Sequence, residues 1–160
     1  MKVNIGVLGS RDASEKNLRV AEDVGREIAK SGAILLCGGR GGIMRAVAKG
    51  CKEEGGLAVG ILPILNKTEC DTEYLDVILP TSMGFGRNIV IASASDVVIA
   101  IDGSYGTMSE VSFALNYGRP VVVIKGTGGT ADYLANGIFE VAVAKDAKEA
   151  VQKALKLVKQ

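Results

Sequence analysis

Histidine and tryptophan are absent from this 160-residue chain. Without histidine there is no Ser-His-Asp triad, no imidazole general base and no histidine metal ligand. Acid–base chemistry falls to Glu, Asp, Lys or Tyr. Aromatic residues make up only 4% of the chain, so the core must come mainly from Val, Ile, Leu and Ala. Cysteines are few. Cys37, Cys51 and Cys70 are an odd number without zinc-like spacing and read as reduced thiols. No metal site is visible. No apolar run approaches the roughly 20 residues that span a bilayer, and the N-terminus enters a strand without a signal-peptide pattern. Neither sign of charge is in excess: 19 basic and 18 acidic residues leave a net +1. That balance points away from nucleic acids and membranes as partners. The expectation is a cytoplasmic protein with one domain over residues 1–160.

Glycine, in contrast, is plentiful, and it falls at strand–helix junctions. The clearest junction lies in residues 96–118. Val97 to Ile101 is a continuous β-branched run, which reads as a strand buried on both faces. Asp102-Gly103-Ser104-Tyr105-Gly106-Thr107 makes a small-residue turn, and Met108, Val111, Ala114 and Leu115 follow at helical spacing. Such a turn aims backbone N–H groups and a helix dipole at one point, where a phosphate is the natural guest. Glu110 sits about one turn into that helix.

The same grammar recurs earlier. Val3–Leu8 is a strand, followed by Gly9, Ser10 and Arg11 and then a helix from Ser14 to Lys30. Ala33–Cys37 is a second strand, running through Gly38-Gly39-Arg40-Gly41-Gly42 into a helix over 43–54. This second turn is not a Walker A motif, because the Lys-Ser/Thr pair is missing. Arg45, one turn into that helix, reads either as a ligand contact or as a solvated side chain. Leu57–Leu62 and Leu75–Leu79 are further strands, with a polar surface loop over 64–74 between them. Met83, Arg87 and Asn88 precede a helix over 89–95; a cation there opposes the helix dipole, a conflict that a bound anion relieves. Strands at 120–125 and 139–143 and helices at 131–135 and 147–158 complete the chain. Strands alternating with helices predict a three-layer α/β fold, a Rossmann-like parallel sheet with helices on both faces. The glycine turns then meet beyond the carboxyl ends of the strands, where ligands of such sheets bind.

Gly38-Gly39-Arg40-Gly41-Gly42-Ile43-Met44 resembles the G-G-x-x-G-[IL]-M signature of the LONELY GUY (LOG) superfamily, once called lysine decarboxylase-like. Gly103 to Glu110 resembles its P-G-G-x-G-T-x-x-E motif. The resemblance implies phosphoribohydrolase chemistry, the splitting of a nucleoside 5′-monophosphate into base and ribose phosphate. It puts the catalytic roles on Arg87 and Glu110. The departures are Asp102-Gly103-Ser104 for Pro-Gly-Gly, Ser109 for the first Glu of a pair, Asn88 for Lys, and the missing histidine. Arg87-Asn88, an apolar helix and S-D-V-V-I-A-I are more similar to the molybdenum-cofactor carrier branch. That resemblance implies binding of a phosphorylated pterin, with the molybdenum cofactor or an AMP-like nucleotide as ligand. Both branches imply a homodimer or larger homo-oligomer. Separately, the apolar faces near 89–95 and 108–117 offer one packing route for a dimer. The expected binding set is Gly9, Ser10, Gly38 to Gly42, Met83, Arg87, Asn88, Asp102 to Thr107, and Glu110. Asp102 is a further carboxylate; were it beside Glu110, one of the two would titrate high.

Overall fold

The computed structural model describes residues 1–159. Its strands are β1 (Asn4–Gly9), β2 (Ile34–Cys37), β3 (Leu57–Leu62), β4 (Val77–Pro80), β5 (Val97–Ile101), β6 (Val121–Ile124) and β7 (Ala142–Ala144). Its helices are α1 (Glu15–Ser31), α2 (Ile43–Glu53), α3 (Arg87–Ala94), α4 (Tyr105–Asn116), α5 (Gly129–Ala135) and α6 (Ala147–Val158). The strands form one parallel sheet in the order β4-β3-β2-β1-β5-β6-β7.

Alternation along the strands builds two cores. Val97, Ile99 and Ile101 of β5 face a layer made by α1, α2 and α6. Val98 and Ala100 face the opposite layer, made by α3, α4 and α5. All five residues of β5 are buried, as a central parallel strand requires. The result is the expected three-layer Rossmann-like α/β fold.

Local chemistry sets the ends of the elements. The Ser14 hydroxyl accepts from the Asn17 N–H at 3.2 Å and starts α1, and Gly32, at φ +75°, ends it. Asp146 caps α6 by accepting from the Glu149 N–H at 2.9 Å. From β1 the chain moves outward to β4, returns to β5 beside β1, and then moves outward the other way. The β1–β5 seam is therefore the switch point, where the loops leaving the two strands diverge and open a crevice.

Four element starts differ from the sequence expectation by two residues or more, among them α5, which begins at Gly129 rather than 131. β4 covers Val77–Pro80 rather than 75–79. Asp76 clamps its entry, donating its N–H to the Ala58 carbonyl at 2.8 Å and accepting from the Ala58 N–H at 2.9 Å. Pro80 fits in this strand because β4 is an edge. β7 starts at Ala142 instead of 139. Phe139 packs instead on the Tyr133 ring, with centroids 5.6 Å apart. Helix α3 starts at Arg87, not Ile89, because a 3-10 turn over Gly84–Gly86 runs directly into it. Among the described residues no helix is long and apolar enough to cross a membrane.

Candidate functional site

A cleft of about 260 Å³ opens at the switch point. Gly9 and Ser10 enter it from the end of β1, and Arg40 and Met44 from the β2–α2 turn. Ser104, Gly106, Thr107 and Glu110 enter from the β5–α4 turn, and Arg87 and Asn88 from α3. Three of the four sequence segments thus meet as glycine turns and the fourth as a helix start. Gly9 permits the convergence: a Cβ there would fall 2.6 Å from both the Ile101 carbonyl oxygen and Ile43 Cγ2. The first two turns are also tied together, since the Ile43 N–H donates to the Ser10 carbonyl at 3.0 Å.

The helices around the cleft start differently from α1 and α6. α2, α3 and α4 have no side-chain cap and no acidic residue in the first turn. No side-chain oxygen or acidic residue meets their positive dipole ends, although backbone carbonyls take the Ile43 N–H (Ser10) and the Arg87 N–H (Gly84 and Phe85). Arg11, Arg40 and Arg87 add positive charge to the same lining, against Glu110 as the single acid. This arrangement is complementary to an anion.

Arg87 is the central cation. It is only 6% exposed. Its Nη1 donates to the Ile61 carbonyl at 3.3 Å, but the buried Nε has no partner. Burial pulls its pKa below the usual arginine value, while the nearby Glu110 charge pulls it back up. Gly38 makes room for this side chain: a Cβ there would lie 2.0 Å from Arg87 Nη1 and 2.7 Å from Met44 Sδ. Both obstructing atoms are ends of long side chains, so Gly38→Ala should cost about 1–3 kcal/mol in folding while displacing the guanidinium. Urea unfolding should show a folded variant with a loss in that range; an unchanged midpoint would remove close packing against Arg87 as the role of Gly38.

Glu110 lies in α4 and is 8% exposed. Burial raises its carboxyl pKa from 4.5 to about 7, against the opposing pull of Arg87. At neutral pH it therefore exchanges readily between acceptor and donor.

Other predicted residues sort by position. Asn88 is buried, and its Nδ2 donates to Ser109 Oγ at 3.0 Å, joining α3 to α4 at the cleft wall. Asp102 does not line the cleft. It stands at φ +55°, and its Oδ1 faces the start of α5, 2.6 Å from where a Cβ on Gly129 would be. Thr127 and Thr130 fix this turn: the Asp102 N–H donates to Thr127 Oγ1 at 2.9 Å, and Thr130 Oγ1 donates to the Ser104 carbonyl at 3.0 Å. The high titration of Glu110 thus comes from burial and not from Asp102. Gly39, Gly42 and Gly103 shape the turns at positive φ without lining the cleft. Met83 and Tyr105 are exposed, 50% and 94%, outside the lining. Arg45 is no ligand contact of the cleft; it pairs with Glu73 and lies 4.9 Å over the Tyr74 ring. Cys37 and Cys51 are buried thiols pushed up by desolvation, to about 11 and about 12, and so are poor nucleophiles.

A model of the SLOG cluster4 family matches residues 2–157. The chain belongs to that family. The LOG resemblance of the two glycine motifs is accordingly a family relationship. A molybdenum cofactor binding protein from the phototrophic bacterium Rippkaea orientalis superposes with a TM-score of 0.90 at 32% identity, over 99% of this chain and 98% of that one. The molybdenum cofactor carrier protein of Chlamydomonas reinhardtii gives a TM-score of 0.87 at 33% identity, with both chains fully covered. An uncharacterized protein of Archaeoglobus fulgidus is 42% identical over 77% of this chain and 80% of its own length. A cytokinin riboside 5′-monophosphate phosphoribohydrolase of Mycobacterium tuberculosis is 30% identical over 67% of this chain and 62% of that protein.

In this SLOG chain Arg11 lines the cleft as the charge beside Ser10, and two lining residues lie outside the sequence expectation, Met44 and Phe85. Met44 ends the first glycine motif. Phe85 carries a signal of its own in the Gly-Phe-Gly sequence over 84–86. A second cavity of about 230 Å³ adjoins the cleft, sharing Arg11 and Arg40 and adding Gly41, Cys70 and Asp71. Residues 64–74 thus reach the site's edge, which their polar composition alone does not show.

Proposed function

We propose that this protein binds a phosphorylated, nucleotide-like small molecule in the β1–β5 cleft and holds it intact. The observation that carries this reading is Arg87, a buried guanidinium with an unpartnered Nε at a cleft ringed by uncapped helix starts. A buried cation with an unpartnered donor is costly to keep, and an anionic ligand repays that cost. The molybdenum cofactor, a phosphorylated pterin, fits as cargo. Arg87, Arg40 and Arg11 would meet its anionic end, and Ser10 and Thr107 would offer hydroxyls. The two full-length structural neighbours named for that cofactor support the assignment. An AMP-like nucleotide presents the same pairing of phosphate and planar ring.

One observation favours a second reading, phosphoribohydrolase activity. Glu110 titrates at about 7, in the range where a carboxyl serves as both acid and base. It would stabilise the oxocarbenium-like centre or activate water, with Arg87 orienting the substrate. Incubation with a panel of nucleoside monophosphates separates the two. The carrier reading predicts a raised melting temperature with the nucleotide recovered whole. Free base released by wild type and not by Glu110→Ala would replace it with the hydrolase reading.

A further inference from the structure

Phe85 stands out among the residues of the cleft. It is 83% exposed although it lines the cavity beside Arg87 and Glu110. Phe85 is the aromatic ring of this lining, and its exposure leaves a ring face open to a ligand. The backbone around it is spare. Gly84 takes φ +54° and has open space around it, and Gly86 follows. The 3-10 turn bearing Phe85 runs without interruption into α3, whose first residue is Arg87. One short segment therefore fixes both an aromatic face and the buried cation. Met44, 9% exposed, gives the same cleft an apolar surface.

We propose that Phe85 is the ring-recognition residue of this site, stacking on the planar heterocycle of a ligand whose phosphate is held by the glycine turns and Arg87. The inference rests on the binding reading above and adds the discriminating element: the site selects a phosphorylated heterocycle over a phosphorylated sugar. Stacking tolerates any flat ring, so a purine and a pterin are both accepted.

The test compares AMP with ribose 5-phosphate by calorimetric titration of wild type, Phe85→Ala and Phe85→Tyr. Because Phe85 is exposed, both variants keep the wild-type melting temperature. Phe85→Ala should weaken AMP binding about ten-fold, as expected for loss of a stacked base, and leave ribose 5-phosphate within about two-fold. Phe85→Tyr should retain AMP. Unchanged AMP affinity in Phe85→Ala, or equal losses for both ligands, would overturn the stacking role while the binding reading stands. Failure of wild type to bind either ligand would overturn the binding reading and this inference with it.

Discussion

Glu110→Gln should make the protein more stable at pH 8, by roughly 3 kcal/mol. The carboxyl titrates at about 7 in the folded chain and at 4.5 when unperturbed, because burial disfavours its charge. Between those values the folded state holds the proton more tightly than the unfolded state. Stability is therefore greatest below 4.5 on this account, falls as pH rises through the window, and carries its full penalty above about 7. Glutamine keeps the shape and removes the charge, so the variant should lose this pH slope. Urea midpoints at pH 5 and pH 8 measure it. A slope shared by wild type and variant would mean that Glu110 is hydrated and that its burial has no such consequence.

Arg87→Met should have the next largest effect, and it runs against intuition for a buried residue. The guanidinium is desolvated, has an unpartnered Nε, and forms no ion pair among the described residues. Replacing such an unpaired buried charge by an apolar side chain of similar length removes its desolvation cost and should be neutral or stabilising. The freed Ile61 carbonyl offsets part of this gain. Arg87 is also the charge that pulls the Glu110 carboxyl down, so its removal should push that pKa above about 7. Carbon-13 NMR titration of labelled Glu reads the shift directly. A variant destabilised by more than about 2 kcal/mol, with Glu110 unmoved, would make Arg87 a structural anchor.

Much of this architecture is legible without coordinates, for definite reasons. The runs in β1, β2, β5 and β6 are short, apolar and bounded by glycine or proline, which leaves few alternatives. Their alternation with helical spacing forces parallel crossovers, and these bring the turns after β1, β2 and β5 to one edge. Arg87 is legible as an unfavourable charge at a helix start. The rest depends on long-range packing. Nothing local reveals that Asp102 turns away from Glu110; Thr127 and Thr130, some 25 residues later, impose it. The reach of residues 68–71 to Arg40 depends on how a loop without apolar periodicity folds back. The strand ends at Val77 and Ala142 are fixed by the Asp76 clamp and the Tyr133–Phe139 contact, not by propensity. Phe85 was the readable signal that motif matching passes over, because the motifs carry glycine and arginine but not the ring between them.

In the proposed binding mode, the buried Arg87 at the switch point holds the phosphate of a nucleotide-like ligand. Isothermal titration with AMP, on wild type and Arg87→Met side by side, tests it most directly. Wild type should show saturable one-to-one binding, and the variant a loss of about ten-fold or more, the scale of a charge-assisted hydrogen bond. Equal affinity in the two proteins, or no saturable heat with wild type, would contradict it.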